Sequence, residues 1–88
     1  MPPRPRPHWW DWELEFSSHA ESRMYERGAS EIDVRDMLER ARKVLAGPAE
    51  GRFTVASRFG GVRWHIIVEP DEELRHAVVV TVYHEEDA

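Results

Sequence analysis

Residues 52–69 read Arg-Phe-Thr-Val-Ala-Ser-Arg-Phe-Gly-Gly-Val-Arg-Trp-His-Ile-Ile-Val-Glu, and the period of two in this stretch decides the class of fold. Phe53, Val55 and Ser57 alternate with Thr54 and Ala56, Phe59-Gly60-Gly61 supplies a hairpin turn, and Val62 to Glu69 makes a long strand. Pro70-Asp71-Glu72-Glu73 then reads as a polar turn. His76 to Tyr83 is a valine-rich strand, apolar on both faces, which calls for a central place in the sheet or cover on both sides. The C-terminal half is therefore a three-stranded antiparallel meander.

Upstream of residue 52 the period is helical. Ser18 with Glu21 three residues on has the form of a capping box, and Gly28 after Arg27 is a C-cap glycine, so a first helix is predicted over about 19–27. Ser30 with Asp33 repeats the start signal. Val34, Met37, Leu38, Ala41 and Leu45 form an apolar face that ends at Gly47-Pro48, which predicts a second helix over about 31–46. Trp12 to Phe16 alternates apolar and acidic residues as a short strand. The expected order is a short N-terminal strand, two helices and the meander, an α+β domain.

The chain has 88 residues, no cysteine and a net charge of −5. Disulfides and thiolate metal sites are excluded, and one small core must supply the stability. An acidic total argues against broad, nonspecific nucleic-acid binding. No apolar run is long enough for a membrane span or a signal peptide, so a cytoplasmic protein without membrane contact is expected. Three parts are expected: a Pro/Trp-rich arm over 1–12, one domain over 13–84 and an acidic tail over 85–88. Met1 to Pro7 should be extended polyproline II. Trp9, Trp10 and Trp12 carry too much apolar area to stand in water, so the arm either folds back on the domain, the favoured reading, or serves as an interaction surface for self-association or a partner.

His19, Arg23 and Arg27 recur every fourth residue, so on a helix they form a row about 12 Å long that drifts about 80° around the axis. An imidazole in line with two guanidiniums suits a phosphate. Ala20 and Met24 adjoin the row, so docking them on the sheet would place the row at the interface edge. Arg52 or Arg63 could approach from the sheet, and Thr81 and Tyr83 share one face of the last strand, where a hydroxyl could orient a phosphate or donate a proton. Each of these residues also has a structural reading: ion pairs with Glu26 or Glu31 for the arginines, a cap-region role for His19, and strand propensity for Thr81 and Tyr83. His8, His19, His65, His76 and His84 lack metal-ligand spacing, and no phosphate-binding glycine loop or dinucleotide fingerprint occurs, so neither metal nor cofactor is expected. His65 shares its parity with Arg63 and Ile67 and reads as a packing residue.

The combination Phe16-Ser17-Ser18-His19-Ala20, Arg23-Met24, Glu26-Arg27-Gly28, Asp33-Val34, Leu38, Gly51-Arg52, Gly60-Gly61 and Val79-Val80-Thr81-Val82-Tyr83 resembles the bacterial domain-of-unknown-function family 4258 over about residues 14–84. Such domains look like small members of the barnase/EndoU/colicin/RelE group. The resemblance implies a RelE/barnase-like fold and a small toxin domain, a metal-independent ribonuclease with His19 as acid or base and Arg23 and Arg27 on the phosphate. It further implies RNA as substrate and a cognate antitoxin or other protein as partner. The alternative is a non-catalytic interaction module of the same fold, using Trp9, Trp10 and Trp12 for a homodimer or a partner.

Overall fold

The computed structural model describes residues 6–85; Met1 to Pro5 of the arm and Glu86 to Ala88 of the acidic tail lie outside the described residues. The elements are β1 (Glu13–Phe16), α1 (Ser18–Arg27), α2 (Glu31–Glu39), β2 (Lys43–Ala46), β3 (Phe53–Phe59), β4 (Val62–Asp71) and β5 (His76–His84). The strands form one mixed sheet in the order β1-β5-β4-β3-β2, in which β1 runs parallel to β5 and the other neighbours are antiparallel. The meander of β3, β4 and β5 stands as expected, with β5 inside the sheet.

Three sequence expectations need correction. The second helix stops at Glu39, and Lys43–Ala46, assigned above to its last turns, is an edge strand paired with β3, so the sheet has five strands where four were expected. Val44 packs on the core while Lys43, Leu45 and Ala46 are exposed, an alternation that only the pairing to β3 makes favourable. The cap of α1 is Ser17 rather than Ser18: Ser17 is extended, its side chain accepts from the Ala20 N–H, and Ser18 is already helical. The capping box of Ser30 and Asp33 and the left-handed Gly28 cap occur as expected. Pro70 and Asp71 extend β4, and the Asp71 carboxylate accepts from the Glu73 and Leu74 N–H groups to close the turn.

Both helices cover one face of the sheet. Ala20 and Met24 from α1, and Val34, Met37 and Leu38 from α2, pack on Val55, Trp64, Ile66, Val68, Ala77, Val79 and Val82. Ser57, a buried polar residue on β3, donates to the Met37 carbonyl at 2.8 Å and ties α2 to the sheet. Gly60 and Gly61 have φ of 60° and 78°, the pair of positive values that a tight two-residue hairpin between twisted strands demands.

β5 carries one extra residue. Ile67 faces Thr81 whereas Val68 faces Val79, so Val80 is unpaired with β4 and the inward parity shifts from Ala77 and Val79 to Val82. The bulge anchors α1, because Ser17 donates its N–H to the Val79 carbonyl at 3.0 Å and its hydroxyl to the Val80 carbonyl at 2.8 Å. Ser17→Ala removes both the cap and this tie, so a loss of about 1–2 kcal/mol is expected in urea unfolding. An unchanged midpoint would show that the hydroxyl contributes nothing.

The arm returns to the domain through residues 7–12. Trp9 is only 2% exposed and meets Phe53 at a ring separation of 5.4 Å, while Trp10 and Trp12 are half-buried against the same core. His8 Nε2 lies 2.8 Å from a Glu72 carboxylate oxygen, joining the arm to the β4–β5 turn.

At the β1 edge, His76 Nδ1 lies 2.9 Å from Glu15, and Nε2 lies 3.6 Å from Glu13. The Glu15 carboxylate raises the His76 pKa above its ordinary value, with smaller contributions from Glu13 and Asp71 and an opposing one from desolvation. The 2.9 Å contact lies off the ring N–H direction, so it acts as an ion pair more than as an aligned hydrogen bond. A raised folded-state pKa stabilises the protein fully below the unfolded value near 6.5, and that contribution disappears as pH rises through the folded value. The Tm of the native chain should therefore fall more from pH 6 to pH 8 than that of His76→Gln; parallel profiles would contradict this.

Candidate functional site

The residues singled out in the sequence fall into two groups on opposite faces of the sheet. His19 is exposed on α1, in the layer of helices. Arg23 and Arg27 follow it along the helix as expected, but both reach the same carboxylate: Arg23 Nη1 lies 3.5 Å and Arg27 Nη1 3.0 Å from Glu26 Oε2. Thr81 and Tyr83 have the parity opposite to Val82 and lie on the helix-free face of β5. The helical row and the hydroxyls of the last strand are thus not brought together.

The helix-free face assembles a different set, row by row. Across the sheet, Lys43 pairs with Ala56, Ala56 with His65, and His65 with Tyr83. The His65 and Tyr83 rings stack with centroids 4.9 Å apart and planes inclined by 19°. One row away, about 7 Å along the strands, Arg58 pairs with Arg63. The row on the other side contains Thr54, Ile67 and Thr81.

Arg63 has an exposed ion pair with Glu85 at 3.5 Å, an interaction of about 0–1 kcal/mol that a phosphate can displace. Arg58 is exposed and forms no ion pair among the described residues. Arg40 donates to the Arg58 carbonyl at 2.9 Å while pairing with Asp36, which brings a further cation to this end of the sheet. Arg58 and Arg63 thus lie one row from the imidazole–phenol stack, with Lys43 two strands away from His65 in its own row and Arg40 at the Arg58 carbonyl. Arg52 lies at the opposite end of β3, paired with Glu69 at 2.9 Å.

His65 is the residue that the sequence reading missed. Its parity with Arg63 was legible, but only the register of β4 on β5 reveals that it faces Tyr83. Among the described residues no group of three or more His, Cys, Asp or Glu side chains could hold a metal ion. No described helix is long and apolar enough to cross a membrane.

On the helix side, Trp9, Trp10 and Trp12 border an open groove of about 170 Å³ whose other walls include Leu14, Leu38 and Ala77. Arg35 and Glu39, one turn apart on α2, also line it.

A five-stranded mixed sheet with two helices on one face and an open opposite face defines an α+β domain. The architecture is similar to a chain in the crystal structure of the toxin–antitoxin complex RelBE2 from Mycobacterium tuberculosis, with a TM-score of 0.54 and 16% sequence identity over 84% of this chain and 91% of that chain. At that identity the likeness is one of fold. The model of the domain of unknown function DUF4258 matches residues 16–84, and the chain belongs to this family. No curated protein matches the sequence.

Proposed function

We propose that this chain is a RelE-like toxin domain that cleaves RNA without a metal ion, using the helix-free face of its sheet. The observation that carries the reading is the stack of His65 on Tyr83 beside the Arg58–Arg63 pair. Cleavage of RNA by its own 2′-hydroxyl needs a base for that proton, an acid for the departing 5′-oxygen, and cations on the phosphate as charge develops. His65 takes the 2′-hydroxyl proton as the oxygen attacks phosphorus, and the Tyr83 phenol gives a proton to the 5′-oxygen as its bond to phosphorus breaks. Arg63 and Arg58 hold the phosphate, and Thr81 can orient the substrate. The products are a 2′,3′-cyclic phosphate and a 5′-hydroxyl.

The sequence alone favoured His19 as acid or base with Arg23 and Arg27 on the phosphate. His65 is preferred because it stacks on a phenol whereas His19 forms no side-chain hydrogen bond or ring contact among the described residues, and because both arginines of the His19 row are directed to Glu26. The two assignments are separated by cleavage assays of a single-stranded RNA in the presence of chelator. Loss of activity in His65→Ala with retention in His19→Ala is expected; the reverse would return the chemistry to α1. Absence of cleavage by the purified native chain across pH 5–9 would overturn the ribonuclease reading.

The toxin reading carries a partner with it. The structural neighbour belongs to a toxin–antitoxin complex, and a cognate antitoxin is the corresponding proposal for this chain. The alternative, a non-catalytic module that binds partners or a second copy through its tryptophans, is weakened for Trp9, which is committed to the chain's own core. Trp10 and Trp12 retain exposed surface. An unchanged mass by light scattering after substitution of both would exclude self-association through them.

A further inference from the structure

We infer that the tryptophan groove is a binding site for a guanine base, independent of the cleavage proposed for the opposite face. Pockets that bind small ligands combine an apolar lining with a few converging polar groups, and this groove has both. Its volume of about 170 Å³ is below the roughly 300 Å³ at which drug-sized pockets begin, so the occupant is one planar group. Indole faces suit a base, since each stacked base contributes comparably whatever its sequence context.

The polar groups select among bases. Glu39 forms no hydrogen bond or ion pair among the described residues, although Arg35 stands one turn before it on the same helix and lines the same groove. Arg35 lies over the Phe16 ring at 5.7 Å and has no carboxylate partner. The groove therefore offers an unpaired carboxylate together with a guanidinium that has no carboxylate partner.

Guanine is complementary to that set. Its N1–H and N2 amino group donate to one carboxylate, and its O6 and N7 accept from Arg35. Adenine would turn its N1 acceptor toward the carboxylate, and Arg35 disfavours a simple alkylammonium ion. Arg6, 4.9 Å above the Trp10 ring in the adjoining groove that Glu39 also lines, is placed to meet a phosphate attached to the base. The base can come from a free nucleotide or from single-stranded RNA.

Titration of the full chain with GMP, AMP and cleavage-resistant 2′-O-methyl tetranucleotides carrying one guanine or one adenine, read by tryptophan fluorescence, tests this assignment. Saturable quenching is expected with the guanine probe at a Kd at least about tenfold below that of its adenine counterpart. Glu39→Gln, at an exposed position that leaves the fold intact by circular dichroism, should abolish that preference. Quenching by GMP identifies a free nucleotide as sufficient, and quenching by the guanine tetranucleotide alone identifies RNA as the source. No saturable quenching by any probe, equal affinity for guanine and adenine, or an unchanged preference in Glu39→Gln would overturn the assignment. None of these outcomes depends on cleavage, which His65→Ala reports separately.

Discussion

Trp9→Ala is expected to destabilise the domain by about 3–5 kcal/mol, the range for removing a buried aromatic side chain and leaving its space unfilled. Trp9 lies outside every regular element, yet it is 2% exposed and packs on Phe53 at the start of β3. Its loss removes the contact that holds residues 7–12 to the core, and the indole of Trp10, tilted against it at 5.4 Å, loses its neighbour. For a domain of this length each kcal/mol shifts Tm by about 4–8 °C, so the variant should melt more than about 10 °C below the native chain. A change under about 1 kcal/mol in urea unfolding would show that the arm is an appendage.

His65→Ala is expected to lower the rate of RNA cleavage by about 10²-fold or more, the usual contribution of a positioned acid or base. Tyr83→Phe keeps the stacked ring and removes the hydroxyl, so it should reduce the rate while leaving RNA affinity unchanged. Arg58→Ala should weaken RNA binding to all sequences alike and make it less salt-dependent, as the loss of one phosphate contact does. A His65→Ala protein that cleaves as fast as the native chain would remove His65 from the chemistry. Its position on the helix-free face, with no part in the core, means that the substitution tests function rather than folding.

The divided legibility of this chain follows from what each signal depends on. The meander could be read because β3, β4 and β5 are long enough for alternation to repeat, and because Gly60-Gly61 has a specific turn chemistry. β2 could not: Val44-Leu45-Ala46 before Gly47-Pro48 suits the end of an amphipathic helix as well as an edge strand, and only pairing with β3 chooses. Ser17 and Ser18 are chemically equivalent caps in sequence, and the bulge at Val80 selects Ser17 by accepting its hydroxyl.

The candidate site divides the same way. The spacing of His19, Arg23 and Arg27 on a helix was legible, but their shared partner Glu26 makes the row partly self-neutralised. Parity put Thr81 and Tyr83 on one shared face of β5, but did not tell on which side of the sheet that face lies. It could not place His65 opposite Tyr83, because the register between β4 and β5 depends on a bulge that no residue type announces.

The central claim is that RNA meets the helix-free face of the sheet, and its most direct test is a chemical-shift footprint of the ¹⁵N-labelled chain with a 2′-deoxy analogue of a single-stranded RNA, which binds without being cut. Shifts concentrated at Arg58, Arg63, His65, Thr81 and Tyr83, with His19, Arg23 and Arg27 unmoved, are the predicted result. A footprint centred on α1 with the sheet face silent would contradict it.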